Sequence, residues 1–189
     1  MELNALLQAE PGAGMNLPGD LRALRGQKLL HLLRLGGEPL VPLMVSEPLE
    51  LKKLADGADG PVTFPLPGGF WEITLTPPEA ETFPLPRNGN AVLLKREELE
   101  RCCFRTPLSG DKIRPFGAPG EKPLRRFLTD RRLDAPLRPA LWLLADDHHI
   151  LWIPGMVSSE SLRRASAQGL WRLCCRPVPC TGLSSDHKE

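Results

Sequence analysis

The residues whose types and spacing best fit a chemical task are the basic side chains between residues 110 and 138. This stretch holds eight Lys and Arg against four Asp and Glu, although the whole chain carries a net charge of only +1. Such side chains bind phosphate oxygens with little regard to base sequence. The cluster therefore fits either a surface that faces a polyanion or a solvated basic face. The candidate residues are Lys112, Arg114, Lys122, Arg125, Arg126, Arg131 and Arg132.

A strand, a turn and a short helix are predicted to position these cations. Residues 111–116 alternate between charged and apolar types, which predicts a strand, and the glycines and proline of 117–120 predict a loop. A helix is predicted over 123–130, because a proline is tolerated in the first helical turn. Arg125 and Arg126 then lie opposite the apolar face of that helix. The residues of that face are Leu124, Phe127 and Leu128.

Two runs of sequence flank this basic helix: GDKIRPFG over 110–117 and ILWIPG over 150–155. In this order and at this separation they resemble the C-terminal domain of the tRNA(Ile)-lysidine synthases. A weaker similarity to the middle region of that family runs upstream through residues 17–36 and 66–69. Residues 134–137 depart from the pattern, because the family usually has a more basic segment there. The positions between the two runs that match are Gly120, Lys122, Leu124, Phe127, Leu128 and Asp130.

The resemblance implies a role in tRNA processing. Enzymes of that family use ATP and Mg to activate the wobble cytidine of an isoleucine tRNA, which lysine then attacks. Their C-terminal domains grip the tRNA, including its acceptor stem. The catalytic domain carries an SGGxDS loop, and this sequence contains no such run. We therefore expect the chain to bind tRNA, to be an inactive ligase by itself and to hold no cofactor, since ATP and Mg would belong to the catalytic domain.

The partners implied are tRNA, a separate catalytic domain and a second copy of the chain in a homodimer. The resemblance makes RNA contact by the basic cluster the favoured interpretation. The rival interpretation is a non-catalytic protein-interaction or dimerisation module with no role in RNA binding. Arg114 has a structural alternative of its own, because an arginine beside a proline can brace a loop through hydrogen bonds.

Composition predicts an α+β protein without a membrane anchor. Short apolar runs separated by 21 Pro and 17 Gly favour short strands over long helices. We expect a helical segment over 1–60, which includes a helix over 21–35. A β-hairpin and linker should follow over 61–100, then a compact β-rich domain with one short basic helix over 101–177 and a disordered tail over 178–189. A signal peptide and a long apolar run are both missing from the sequence, which predicts a cytoplasmic protein.

Other candidate sites receive structural interpretations. His148 and His149 follow two aspartates, which could suggest a metal site, but this pattern is also typical of a hairpin turn. Cysteines are adjacent at 102–103 and at 174–175. If these residues lie in strands, the two side chains of each pair point to opposite faces of the sheet, so we expect reduced, partly buried thiols. The four tryptophans lie in predicted strands, where core packing is the expectation.

Overall fold

The computed structural model describes residues 3–27, 30–34, 48–56, 60–66, 71–78 and 89–177. The first of these form helix α1 (Leu3–Leu7) and an antiparallel sheet of strands β1 (Gly14–Leu17), β2 (Leu21–Arg25) and β3 (Leu30–Arg34). The helix expected over 21–35 is therefore wrong in its described part. Asp20 has a φ of 56° and lies in the turn between β1 and β2. The same leucines fit a strand, because alternate residues also share a face there, and Ala23 is fully buried.

The middle of the chain alternates short strands and helices. The hairpin expected after residue 60 is present as β5 (Val62–Pro65) and β6 (Trp71–Thr76), and a short helix, α2 (Leu51–Ala55), precedes it. The acidic residues Glu97, Glu98 and Glu100 belong to a helix, α3 (Arg96–Arg101), and the Glu98 carboxylate accepts the Lys95 N–H at 2.8 Å. The elements are β4 (Leu49–Glu50), α2 (Leu51–Ala55), β5 (Val62–Pro65), β6 (Trp71–Thr76), β7 (Ala91–Leu94) and α3 (Arg96–Arg101).

The last part of the chain contains the predicted basic helix and the predicted hairpin. The helix is α4 (Leu124–Asp130), and the hairpin pairs β11 (Leu143–Asp146) with β12 (His149–Ile153). Asp147, in the turn of that hairpin, has a φ of 53°. The remaining elements are β8 (Cys103–Arg105), β9 (Lys112–Ile113), β10 (Lys122–Pro123), β13 (Val157–Ser158), β14 (Trp171–Pro177) and 3-10 helices at Ala135–Ala140 and Glu160–Leu162.

Two further sheets organise these elements. One has the strand order β10-β9-β12-β11-β8-β4, with β13 paired to β12, and only its β9–β12 pair is parallel. The other has the order β5-β6-β14-β7 and is antiparallel. Strand β14 thus lies between strands from the 61–100 segment. The two segments proposed on either side of residue 100 therefore share a sheet, and the proposed tail over 178–189 lies outside the described residues.

Apolar side chains cover both faces of the first of these sheets. In β11, Leu144 packs into one core cluster, whereas Leu143 and Ala145 pack into the other. The first cluster joins β5, β6, β7 and β14 to Phe104 and Trp152, and both of these rings are fully buried. The second cluster is covered by α4. The α+β class expected from the sequence is confirmed.

Tryptophan packing fixes the end of the hairpin. Trp152 is fully buried, and its Nε1–H donates to the Gly89 carbonyl oxygen at 2.7 Å. Gly155 has a φ of +73°, and a Cβ added there would collide with the Trp71 ring. Glycine is therefore required at the end of the ILWIPG run for two reasons: it adopts the positive φ readily, and it leaves room for the Trp71 ring.

Phe127 is expected to anchor α4, because its ring is 2% exposed in the second core cluster. Phe127→Ala should lower the free energy of unfolding by about 3–5 kcal/mol, as expected when a buried aromatic ring is removed. A denaturant titration measures this change. Phe116→Ala is the matched control, because that ring is 53% exposed. Equal midpoints for the two variants would contradict the packing of α4.

Candidate nucleic-acid interface

The extended segment 112–116 presents two of the basic candidates in a row. Ile113 and Pro115 are buried, whereas Lys112, Arg114 and Phe116 are exposed. This alternation arises because successive side chains of an extended chain point to opposite sides. The segment is held by β10 and β12, by a bridge from Pro115 to Ser159 and by the Phe116 N–H, which donates to the Ser158 carbonyl at 2.9 Å.

Hydrogen bonds also hold the loop that follows this segment. The Gly117 N–H donates to Glu160 Oε2 at 2.7 Å, and Arg114 Nε donates to the Ala118 carbonyl at 3.1 Å. The first bond and the nearby Arg163 guanidinium lower the pKa of the Glu160 carboxyl below its usual value. The bracing role considered for Arg114 is thus observed. Its bond uses Nε, and no bond from its two terminal nitrogens is recorded among the described residues.

A cleft of about 380 Å³ lies beside this row, and Lys112 and Arg114 line it. Its acidic residues are matched by cations nearby: Glu98 by Arg164 at 2.5 Å, Asp146 by Arg101 at 3.5 Å, and Glu160 by Arg163 at 2.6 Å. Glu121 lies 3.6 Å from His149. Lys112 has no ion-pair partner among the described residues, so its ammonium is available to a ligand.

Helix α4 separates its apolar and basic faces as predicted. Leu124, Phe127 and Leu128 are buried, whereas Arg125 and Arg126 are exposed. The side chains of these two arginines form no hydrogen bond or ion pair with the described residues. Both guanidinium groups can therefore contact an anion without first breaking an internal contact.

Two more candidates lie against the Phe127 ring. The Lys122 ammonium is 5.3 Å and the Arg131 guanidinium 5.4 Å from the ring centroid. Lys122 also forms an ion pair with Asp130 at 2.9 Å, and this contact lowers the pKa of the Asp130 carboxyl. These cations contribute to the packing of α4 through cation–π contacts, so their charge is partly used within the fold.

The seventh candidate, Arg132, lies in a separate groove of about 210 Å³, between the N-terminal sheet and the end of α4. Asp134, in the segment that departs from the family pattern, joins these parts of the chain. It accepts the Gln27 N–H at 2.8 Å, and its other oxygen is 2.9 Å from His31 Nε2. Asp134 thus contacts the N-terminal sheet.

A buried ion pair supports the start of segment 112–116. Arg105 donates two hydrogen bonds to Asp111, at 2.8 and 2.9 Å, and the Leu108 N–H donates a third at 2.8 Å. Burial alone would raise the pKa of the Asp111 carboxyl. The bonds from Arg105 and Leu108, together with the Arg105 charge, outweigh burial and leave that pKa below its usual value.

Sequence reasoning missed this pair, since it interpreted both residues as part of strand patterns. The available signal was the GD dipeptide at 110–111. Gly110 has a φ of +92°, which turns the chain so that the next side chain enters the interior, where Asp111 is 4% exposed.

The other candidate groups have structural roles. The four cysteines within the described residues are free thiols, and burial raises the pKa of Cys102 to about 12 and of Cys175 to about 11. Across the described residues, no three His, Cys, Asp or Glu side chains cluster as metal ligands would. None of the helices found there has the length and apolarity required to cross a bilayer.

Comparison with known proteins identifies the domain that carries all seven candidates. Residues 102–175 match a family model described as the TilS substrate C-terminal domain. Residues 102–175 are thus similar to the C-terminal domain of tRNA(Ile)-lysidine synthases. A crystal structure titled as the TilS C-terminal domain superposes with a TM-score of 0.53 at 22% identity, over 64% of this chain and 93% of that one. This superposition supports the same fold.

Curated tRNA(Ile)-lysidine synthases are similar over limited segments. The Shouchella clausii protein is 42% identical over 68 residues, which cover 35% of this chain and 14% of that protein. The Symbiobacterium thermophilum protein is 30% identical over 105 residues, which cover 55% of this chain and 21% of that protein. The Porphyromonas gingivalis protein is 39% identical over 61 residues, which cover 32% of this chain and 13% of that protein. The chain thus matches about a fifth or less of the length of these relatives.

Asp111 is predicted to be a major source of acid sensitivity. Because its carboxyl pKa is lowered by folding, the charged pair stabilises the protein above about pH 4, the usual pKa of an unfolded Asp, and this contribution is lost as pH falls further. Asp111→Ala leaves the Arg105 guanidinium buried without its partner, so unfolding free energy at neutral pH should fall by about 3–5 kcal/mol.

Denaturant titrations between acidic and neutral pH measure both effects. Asp130→Ala removes a carboxylate from an exposed ion pair and is the matched control, which should retain the wild-type midpoint. An Asp111→Ala midpoint that equals that of wild type at neutral pH would contradict the role of the buried pair.

Proposed function

We propose that this chain is the tRNA-binding C-terminal portion of a tRNA(Ile)-lysidine synthase. The observation that carries the proposal is the pair of exposed arginines on α4, which form no hydrogen bond or ion pair with the described residues, within a segment that matches this family model. A rigid helix that packs through its apolar face presents these two cations to solvent. Phosphate groups of an RNA backbone are the ligands that such an arrangement favours.

Segment 112–116 extends the proposed surface. Lys112 and Arg114 stand on one side of an extended chain and line the same cleft. Phosphate contacts orient an RNA without reading its sequence, so these residues serve positioning rather than base selection. Lys122, Arg131 and Arg132 are proposed as flanking contacts, since each already interacts with or lines another part of the fold.

In the proposed whole enzyme, this part positions tRNA while a catalytic domain outside the present sequence attaches lysine to the wobble cytidine with ATP and Mg. The acceptor stem is the proposed region of contact, and the cytoplasm is the proposed location. The exposed basic side chains of the described residues are the proposed surface for positioning the tRNA. Ligase chemistry is assigned to the catalytic domain.

A second candidate function is protein association or dimerisation. Leu32 is 44% exposed on β3, an edge strand of the N-terminal sheet, and Leu7 of α1 is 47% exposed. An edge strand with exposed apolar side chains favours pairing with another chain. Analytical ultracentrifugation tests this alternative, with Leu32→Asp expected to abolish any association.

Replacing Arg125 and Arg126 with Ala should weaken binding to many duplex RNAs by similar factors. The plot of log K against log salt should also become shallower, by roughly one to two units for two lost phosphate contacts. Filter binding at several salt concentrations measures both effects. Because both side chains are exposed, the melting temperature should not change.

The matched control is the double change of Lys52 and Lys53 to Ala, which removes two exposed cations from a different short helix, α2. This control should retain the wild-type slope. If the arginine variant folds and keeps the affinity and slope of wild type, the two arginines belong to a solvated face and the association module becomes the better interpretation.

A further inference from the structure

Phe116 is an exposed aromatic ring at the end of a row of cations. It is 53% exposed, and the other large apolar residues exposed within the described part of the chain are all leucines. Lys112, Arg114 and Phe116 are spaced two residues apart, so adjacent members of the row are about 6.6 Å apart along the extended chain. Apolar packing does not explain the ring, because more than half of its surface faces solvent.

The surrounding backbone nevertheless fixes where the ring stands. The Phe116 N–H bonds to Ser158, the next N–H bonds to Glu160, and the Ala118 N–H bonds to the Pro115 carbonyl at 2.8 Å. A ring on such a loop loses little conformational entropy when a flat ligand stacks on it. The loop therefore holds an exposed aromatic side chain ready for a partner.

A guanidinium group marks one side of the ring. The Arg163 Cζ is 4.6 Å from the Phe116 ring centroid, and Glu160 holds that arginine through a 2.6 Å contact. The ring thus sits among cations rather than among other apolar side chains. An aromatic ring beside fixed cations is the combination that binds unpaired nucleotides, which have an aromatic base and an anionic phosphate.

Space for such a ligand is present beside the ring. A Cβ added at Gly117 or at Gly120 would meet no atom within 4 Å. Gly117 has a φ of +79°, which favours glycine and keeps this position free of a side chain. Lys112 and Arg114 line a cleft on one side of the ring, where they can meet successive phosphates of a strand that runs along the row.

Resting on the function proposed above, we propose that Phe116 is a stacking platform for an unpaired nucleobase of the bound RNA, with Lys112 and Arg114 contacting the neighbouring phosphates. The stacked base need not be a particular one, because every base has an aromatic face. The domain would then hold duplex RNA through α4 and a single-stranded nucleotide through segment 112–116.

Two RNA probes test the proposal: a blunt duplex and a shorter duplex that ends in unpaired adenosines, with the same number of phosphates. The wild-type chain should bind the second more tightly, by about tenfold. Phe116→Ala should remove this preference and leave both the blunt-duplex affinity and the salt slope unchanged. Leu108→Ala is the matched control, since Leu108 is also 53% exposed but carries no stacked cation, and it should retain the preference.

Phe116→Trp and Phe116→Leu decide the question if the Ala variant does not fold. The Trp variant should keep the preference, and the Leu variant, which is apolar but not aromatic, should lose it. Equal preferences in these two variants would overturn the proposal, and would instead indicate that an apolar contact with RNA or protein covers the site. If wild type binds both probes equally, this inference fails while the function proposed above stands. If it binds neither, that function fails as well.

Discussion

The buried pair of Arg105 and Asp111 sets where the rest of the candidate interface stands. It joins the end of β8 to the residue before β9, and Arg105 also donates to the Asp147 carbonyl in the hairpin turn. Replacing a buried ion pair with apolar side chains is often neutral for stability, but leaving one partner alone costs several kcal/mol. The pair therefore ties the two ends of the 106–111 loop together, and segment 112–116 begins from a fixed point.

Beyond that point, the packing of apolar side chains into the core clusters on the two faces of the sheet determines which side chains face solvent. Ile113 belongs to the cluster beneath α4, so its neighbours Lys112 and Arg114 face solvent. The same cluster receives the apolar face of α4, which leaves Arg125 and Arg126 outside. The cations are thus divided into a row on an extended segment and a pair on a helix, and both groups are positioned by one apolar layer.

Sequence reasoning succeeded where local periodicity had one interpretation. The 124, 127, 128 spacing fits a helix and no strand, and α4 is found there, directly after Pro123, which ends β10. It failed for the N-terminal sheet, because closely spaced leucines suit both periods and the pairing of β2 with β3 decides between them. The insertion of β14 between β6 and β7 joins residues about eighty to a hundred positions apart, which no local pattern indicates. The N-cap of helix α3 is Lys95, which is not a common N-cap residue, so the sequence signal for the start of this helix was weak.

The charge pattern alone overstates how much of the basic cluster is free to bind. Arg138 donates to the Leu133 carbonyl, and Lys122 shares its charge with Asp130, so neither is equivalent to a solvated cation. Arg125 and Arg126 form no hydrogen bond or ion pair within the described part of the chain, although the Arg126 charge helps to lower the pKa of the Asp130 carboxyl. The number of cations that release counterions on binding should therefore be smaller than the eight basic residues between 110 and 138. Geometry, rather than net charge, then determines the salt dependence of this surface, because a pairing within the fold competes with each pairing to RNA.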